Sequence, residues 1–197
     1  MNIGIFGGSF NPIHIGHLII ANFFISNFNL DQCYLVPNHK SPFKIEDQEQ
    51  IADQYRLEMI NLAIEGNPKL QVDTYEIKKG GISYSFETVL HFKNKFTSSN
   101  LFFLIGTDQA KKFTLWKNWK TILENCYLVV ARRDFEPISK DFVPNEFHNS
   151  IFFLQNPIIE ISSTLIRDLV QNGKSIDYLV PEKVKNYIYR NNLYLKR

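Results

Sequence analysis

A short apolar run that ends in two glycines and leads into a helix start is the strongest constraint on how this chain folds. Asn2–Phe6 has the pattern of a buried strand, and Gly7 and Gly8 end it. Ile15–Phe28 then has the length and periodicity of a buried helix. The sequence therefore opens with a strand, a tight loop and a helix.

The same order of strand and helix recurs along the chain. The predicted strands are Asn2–Phe6, Cys33–Val36, Leu70–Tyr75, Leu101–Ile105, Tyr127–Ala131 and Ile151–Leu154. The predicted helices are Ile15–Phe28, Gln48–Glu65, Phe86–Phe96, Asp108–Phe113, Trp119–Asn125, Ser163–Asn172 and Pro181 to about Asn191. This alternation predicts an α/β fold, a Rossmann-like doubly wound parallel sheet of five to six strands with flanking helices. We expect a single domain over residues 1–197, with the C-terminal helices at about 162–191 packed on the sheet.

Composition excludes several classes of protein. A net charge of +2 and a pI near 8.4 provide no large basic field, so we expect no nucleic-acid partner. No segment approaches the roughly 18 apolar residues of a membrane helix, and no signal-type leader precedes the first strand. Cys33 and Cys126 lie far apart in apolar stretches without zinc-site spacing, which is typical of buried reduced thiols. These features predict a cytoplasmic protein that does not bind membranes.

The loop after the first strand has the chemistry of an anion site. In an open parallel sheet, ligands bind beyond the carboxyl ends of the strands. Gly7 and Gly8 let backbone approach a ligand, Ser9 adds a hydroxyl, and the following helix contributes unpaired amides and a positive dipole end. His14 and His17 share one face of that helix start and can both donate to a phosphate. A metal pair and ordinary helix-start residues are the alternatives for the two histidines. Neither G-x-G-x-x-G nor the Walker pattern occurs here.

A second phosphate-type stretch lies near the other end of the chain. In "ISSTLIRDLV" the hydroxyl residues Ser162–Thr164 open a predicted helix, and Arg167 follows one turn later. Hydroxyls and helix amides bind phosphate oxygens, and a guanidinium can bind two oxygens at once. The sequence thus contains two separate groups of phosphate ligands.

These two stretches carry a family resemblance. "GGSFNPIHIGHL" resembles the G-G-[ST]-F-D-P-x-H-x-G-H signature of the nucleotidyltransferase superfamily, and "ISSTLIRDLV" resembles its second signature. Nearly the whole chain resembles the bacterial nicotinate-nucleotide adenylyltransferases, through "VPNHKSPFK", "SYSFETV", "LIGTD", "LWKNW", "ARR" and "DYLVPEKVKNYI" in this order. The resemblance implies that ATP and nicotinate mononucleotide react to give deamido-NAD and pyrophosphate. It also implies Mg²⁺ held mainly by the ATP phosphates and water, with no metal-binding side chains.

The resemblance also assigns residues to three roles. The implied catalytic residues are His14, His17 and Arg167. The implied ligands of ATP and its phosphates are Gly7, Gly8, Ser9, Phe10, Lys44, Gly106, Asp108, Arg133, Ser162, Ser163 and Thr164. The implied contacts of the mononucleotide are Tyr84, Ser85, Thr88 and Trp116, of which Trp116 stacks on the pyridine ring. Tyr84, Ser85 and the neighbouring amides meet the nicotinate carboxylate.

Several alternatives stay open at this point. Asn11 replaces the family's usual Asp, and Phe43 stands where the family often has His. The acceptor could be nicotinamide mononucleotide or phosphopantetheine, and a nucleotide hydrolase, a non-catalytic adenine nucleotide sensor and a homo-oligomer are further alternatives. Asp108 could cap a helix, Trp116 could be a core residue, and Arg56 could either orient a loop or form a surface salt bridge.

Overall fold

The protein forms one six-stranded parallel sheet. A computed structural model describes residues 1–42, 51–133, 135 and 139–195. The strand order is β3-β2-β1-β4-β5-β6, and every pairing is parallel. The strands are β1 Asn2–Gly8, β2 Gln32–Pro37, β3 Leu70–Val72, β4 Asn100–Gly106, β5 Tyr127–Ala131 and β6 Ile151–Leu154. The predicted Rossmann-like sheet is confirmed, with β1 at its centre, where the chain turns from one half of the sheet to the other.

Helices connect the strands on both faces of the sheet. They are α1 Ile15–Asn27, α2 Asp53–Ile64, α3 Tyr75–Lys79, α4 Ser85–Lys95, α5 Thr107–Ala110, α6 Trp119–Asn125, α7 Ser163–Gln171 and α8 Glu182–Arg190. Short 3₁₀ helices lie at Phe113–Leu115, Lys140–Phe142 and Asn145–Ser150. In the described part of the chain, no helix is long and apolar enough to cross a membrane.

The third strand is shorter than the sequence predicts. β3 ends at Val72, and the predicted run to Tyr75 is wrong because Asp73 turns the chain there: its Oδ1 accepts from the Tyr75 amide at 2.8 Å. The helix α3 follows and includes the first residues of the predicted "KKGGISYS" loop. The second helix begins at Asp53, and the predicted start at Gln48 lies outside the described residues.

Alternate residues of the central strands form two apolar cores. Ile3 and Ile5 of β1 pack with Phe103 of β4 into one core, to which α4 and α6 contribute. The other face packs against α1, α2, α7 and α8. Gly4 lies under α1, where a Cβ would come within 2.6 Å of a Leu30 methyl group. This close approach packs the C-terminal part of α1, at Phe24, directly on the middle of β1.

The two cysteine thiols are free and buried, as the sequence predicts. Burial raises the pKa of Cys33 to about 12 and raises the pKa of Cys126 as well. Both thiols are therefore protonated packing groups in the physiological range.

Candidate active site

A cavity of about 560 Å³ opens at the carboxyl ends of the central strands. Its lining includes residues at the ends of β1, β4 and β5 and the start of α7, the position at which open α/β sheets bind ligands. The predicted site residues that line it are Gly7, Gly8, Ser9, His14, His17, Tyr84, Ser85, Gly106, Asp108, Trp116, Arg133, Ser162, Ser163, Thr164 and Arg167. Phe10 and Thr88 do not line it, and Lys44 lies outside the described residues.

The loop between β1 and α1 turns at Phe10. The sequence places the sharp turn at the glycines, but Gly7 and Gly8 still belong to β1, and it is Phe10 that has a positive φ of 46°. A cis peptide bond joins Asn11 to Pro12. A Cβ on Gly7 would meet nothing nearer than a Phe103 ring carbon at 3.9 Å, so this glycine leaves its space to the cavity.

The buried Phe10 ring packs against the His17 imidazole of the site. Its side chain is buried, and its ring packs edge-on against Phe6 and His17 with centroid distances of 5.5 and 5.0 Å. The implied contact of Phe10 with ATP phosphates therefore does not involve its side chain in the cavity. Its ring instead fixes the orientation of the His17 imidazole.

The two histidines form one stacked unit at the start of α1. Their ring centroids are 3.7 Å apart, and the backbone amide of His14 donates to Nδ1 of His17 at 3.2 Å. Because Nδ1 accepts this bond, neutral His17 carries its proton on Nε2. His17 can therefore donate a hydrogen bond from Nε2 to a ligand.

Both imidazoles are held neutral. Burial, reinforced by the Arg133 charge, lowers the pKa of His14 to about 4. Burial, His14 and Arg133 together lower the pKa of His17 well below its usual value. Within the described residues, no group of three or more His, Cys, Asp and Glu side chains is placed to hold a metal ion. In the part of the chain that the structure describes, the metal-pair alternative thus lacks a third ligand, and the pair has the properties of two neutral hydrogen-bond donors.

The start of α7 is fastened to the β1–α1 loop. Ser163 Oγ donates to the Pro12 carbonyl at 2.8 Å, and Arg167 Nη1 donates to the Asn11 carbonyl at 3.0 Å. Ser162 Oγ accepts from the Leu165 amide and caps the helix. The two phosphate-type motifs are therefore in direct contact and form adjoining walls of one cavity.

Asn11 has a partner that the sequence does not reveal. The hydroxyl of Tyr194 donates to Asn11 Oδ1 at 2.8 Å, and both side chains are buried. Burial also raises the pKa of the Tyr194 phenol, which keeps it a donor. An amide oxygen accepts this bond as a carboxylate would, so the replacement of the family's Asp preserves an acceptor here.

Arg56 orients the phosphate loop. Its side chain is 0% exposed, which excludes the surface salt bridge. Nη1 donates to the Ser9 carbonyl at 2.6 Å, Nη2 donates to the Asn38 carbonyl at 2.5 Å, and Asp53 pairs with the guanidinium. One buried cation thus joins the loop after β1 to the loop after β2.

The edge formed by β4 and β5 carries a charged pair. Asp108 Oδ2 lies 3.4 Å from Nη1 of Arg133, and both side chains are more than half exposed. Asp108 is not the helix cap, because the Gly106 amide donates to the side chain of Gln109 instead. A Cβ on Gly106 would come within 2.5 Å of Asp108 Oδ1, so a larger residue here would displace this exposed carboxylate.

Aromatic residues form the other end of the cavity. Trp116 is half-buried and packs on Phe113 and Phe103, with centroid distances of 5.4 and 6.4 Å, while it also lines the cavity. Tyr84 and Ser85 lie at the start of α4. Trp116 is therefore both a packing residue and a cavity residue.

Thr88 lies behind this end of the cavity. Its hydroxyl donates to the carboxyl group of Glu76, which also has a hydrogen bond to Ser83. Thr88 is the fourth residue of α4, it is buried, and it does not line the cavity. Glu76 itself lines the cavity, and burial raises its pKa. The sequence motif "SYSFETV" contains Thr88 but gives no sign of this partner.

The fold and the two adjoining phosphate-type motifs define a nucleotidyltransferase. A family model described as cytidylyltransferase-like matches residues 5–169, and the chain belongs to this family.

Relatives of nearly identical length carry one enzyme name. The chain is 40% identical, over all of both chains, to a "Probable nicotinate-nucleotide adenylyltransferase" of Flavobacterium psychrophilum. It is 39% identical to the protein of the same name in Dictyoglomus thermophilum, with 99% of this chain and 100% of that protein covered. The predicted family resemblance is confirmed.

The fold also matches a solved structure. This is the Plasmodium falciparum nicotinic acid mononucleotide adenylyltransferase complexed with APC, with a TM-score of 0.78 and 18% identity. The match covers 98% of this chain and 96% of that one. At this identity it supports the fold.

Proposed function

We propose that this chain joins ATP and nicotinate mononucleotide to form deamido-NAD and pyrophosphate, a step of NAD biosynthesis. The observation that carries the proposal is the cavity itself, where two phosphate-type motifs adjoin and an aromatic end follows. The same activity is named for relatives of matching length. We also propose that residues 1–197 act as one domain, because α7 and α8 pack in the same core as α1 and α2.

The reaction needs little proton chemistry. A 5′-phosphate oxygen of the mononucleotide bonds to the α-phosphorus of ATP, and the bond from that phosphorus to the α–β bridging oxygen breaks. Pyrophosphate leaves with the electron pair. Because the attacking phosphate is already an anion near pH 7, positioning and charge neutralisation can supply the catalysis.

His14 and His17 suit this role as neutral donors. A donor held at a fixed angle stabilises charge that builds up on the phosphoryl oxygens. The Nε2–H of His17 is oriented by the bond at Nδ1 and by the Phe10 ring. Arg167 lies at the adjoining wall, where its guanidinium is anchored to the Asn11 carbonyl and can bind phosphate oxygens as well.

The remaining ATP contacts come from the two loops and the β4–β5 edge. Gly7, Gly8 and Ser9 offer space and backbone amides to the triphosphate. The start of α7 offers the Ser163 and Thr164 amides and the Thr164 hydroxyl. We assign Asp108 to accept from ribose hydroxyls and Arg133 to neutralise phosphate charge, because both side chains are exposed and line the cavity. The role of Lys44 stays a prediction from the sequence.

Mg²⁺ fits this donor set as a companion of ATP. The described residues offer no cluster of acidic or imidazole ligands, which suits an ion held by phosphate oxygens and water. When bound, Mg²⁺ would neutralise part of the negative charge of the ATP phosphates.

The aromatic end suits the pyridine ring. Trp116 presents a face held by Phe113, and offset stacking on a heteroaromatic ring stabilises binding. The start of α4 at Tyr84 and Ser85 supplies backbone amides for the ring carboxylate. An amide substrate would leave part of these donors unpaired, which lowers its relative rate.

Pyrophosphate release tests the function directly. The purified chain is assayed with ATP and Mg²⁺ and with nicotinate mononucleotide, nicotinamide mononucleotide or phosphopantetheine as acceptor. Turnover with the nicotinate form alone supports the proposal. Equal use of the acid and the amide overturns the account of the ring end. The absence of turnover with all three, from a chain that binds ATP, favours the sensor alternative.

A further inference from the structure

The turn after Trp116 places a lysine at the ring end of the cavity. Lys117 lies between the 3₁₀ helix Phe113–Leu115 and α6, and it lines the cavity. Asn118 has a left-handed backbone, with φ 51° and ψ 40°, and the Trp119 amide donates to the Trp116 carbonyl at 3.3 Å. The backbone that carries Lys117 is thus held in a tight turn beside a packed tryptophan.

The ammonium group of Lys117 lies over an aromatic face. Its Nζ is 4.4 Å from the ring centroid of Tyr84 and 6.0 Å from that of Phe86. A cation in this position is attracted by the ring quadrupole, which favours a place at the cavity over one in bulk water. Tyr84 therefore positions the charge.

Lys117 differs from the other cation near Tyr84. Lys79 Nζ lies 6.0 Å from the same ring centroid, but Lys79 pairs with Glu87 and donates to the Ile82 carbonyl, and it does not line the cavity. Among the described residues, no carboxylate lies within ion-pair distance of Lys117. Its positive charge therefore lies over the Tyr84 ring at the edge of the cavity, without an ion-pair partner among the described residues.

We propose that Lys117 is a specificity-determining residue, whose ammonium selects the carboxylate on the substrate's pyridine ring over a carboxamide. This inference rests on the proposed function. The carboxylate carries a full negative charge that the ammonium attracts. The carboxamide is neutral: its oxygen can accept a hydrogen bond from the ammonium, but it offers no net charge, and its NH₂ donors gain nothing from a group that only donates. The positive dipole end of α4, beside Tyr84, acts in the same direction.

Rates with the acid and the amide substrate provide the test. The kcat/KM values for nicotinate and nicotinamide mononucleotide are compared in the wild type, Lys117→Met and Lys117→Arg. Met keeps the apolar stem on the Tyr84 ring and removes the charge. We expect Lys117→Met to lower kcat/KM for the acid about tenfold through KM and to lower it much less for the amide. Lys117→Arg keeps the preference for the acid.

A matched control separates charge at the site from net charge. Lys120 lies over Trp119, with Nζ 5.7 Å from the ring centroid, and does not line the cavity. Lys120→Met should retain the acid preference. An equal loss for both substrates in Lys117→Met, or no loss for either, overturns the proposal.

Equilibrium binding keeps the test independent of turnover. The affinities of the two mononucleotides for the wild type and Lys117→Met are measured by calorimetry. A wild type that turns over neither mononucleotide overturns the proposed function. In that case a loss of acid preference in Lys117→Met still supports the role of Lys117, and an unchanged preference overturns it.

Discussion

The phenol of Tyr194 donates a hydrogen bond to Asn11 Oδ1 at 2.8 Å, although 183 positions separate the two residues. Asn11 belongs to the loop that carries the histidine pair, and its carbonyl also accepts from Arg167. The loop is therefore held from the C-terminal part of the chain. The amide at position 11, where relatives of this type usually have a carboxylate, keeps the acceptor that this contact requires.

Tyr194→Phe should destabilise the fold. The change removes the donor to the buried Asn11 oxygen and should lower the free energy of unfolding by about 1–3 kcal/mol. Urea denaturation measures the difference. Tyr189→Phe is the control, because Tyr189 is 45% exposed and the change should cost less than about 0.5 kcal/mol. Equal stability of Tyr194→Phe and the wild type would contradict a structural role for the bond.

Arg56→Lys should loosen the phosphate loop. Lysine keeps the charge but is a single-point donor without a fork, so it cannot reproduce the bonds to the Ser9 and Asn38 carbonyls and to Asp53. We expect KM for ATP to rise about tenfold and stability to fall by about 2 kcal/mol. Steady-state kinetics and denaturation measure both effects. Arg190→Lys, on an exposed part of α8, should change neither.

His17→Ala should lower kcat far more than it raises KM. A fixed donor to developing phosphoryl charge contributes about 10²–10³ in kcat. Pyrophosphate release gives the rates, and circular dichroism checks that the fold is retained. His148→Ala is the matched control, because His148 bonds to the Val143 carbonyl away from the cavity. Near-normal turnover of folded His17→Ala would rule out the transition-state role.

The low pKa of His14 predicts a stability that falls in mild acid. Its folded pKa of about 4 lies below the ordinary 6.5, so the unfolded chain binds more protons between these values. Stability from this group is complete above pH 6.5 and declines as pH falls, by about 2 kcal/mol at pH 5. Urea denaturation at pH 7 and pH 5 measures the decline. His14→Gln should show a decline smaller by that amount, and identical declines would refute the assignment.

Trp116→Ala should weaken mononucleotide binding selectively. Loss of the stacking face should raise KM for nicotinate mononucleotide about tenfold and change KM for ATP little. Initial rates with each substrate varied in turn provide the measurement. Trp119→Leu is the control, because Trp119 packs on Phe147 away from the cavity and should affect stability instead. Equal rises in both KM values would indicate that Trp116 acts by packing alone.

Local sequence signals predict most of the sheet. Two strands and one helix have the bounds that the sequence predicts: β5 Tyr127–Ala131, β6 Ile151–Leu154 and α6 Trp119–Asn125. In β5 and β6, runs of apolar residues bounded by polar segments suffice for this. The short helix α3 was not predictable in this way, because Val72, Thr74 and Tyr75 on either side of Asp73 favour strands. Its strand ends through one side-chain bond at Asp73.

The candidate site likewise contains residues that local sequence indicates and residues that it does not. The two phosphate-type motifs are contiguous in sequence, so their residue types and spacing already indicate their chemistry. Tyr194 and Glu76 become part of the site only through contacts with distant segments, and no local pattern marks them. Lys117 had one indirect signal, its position next to Trp116. The partners of Arg56 depend likewise on how two loops meet.

The bond from Ser163 to Pro12 spans 151 positions. During synthesis the loop between β1 and α1 leaves the ribosome early. The start of α7, which forms the adjoining wall of the cavity, is translated only near the end of the chain. A product that stops before Ser162 contains all six strands but only one of the two adjoining phosphate walls. The activity of a cell extract would therefore come from chains that include α7. Fragments that end before α7 would contribute none, even where their sheet had formed.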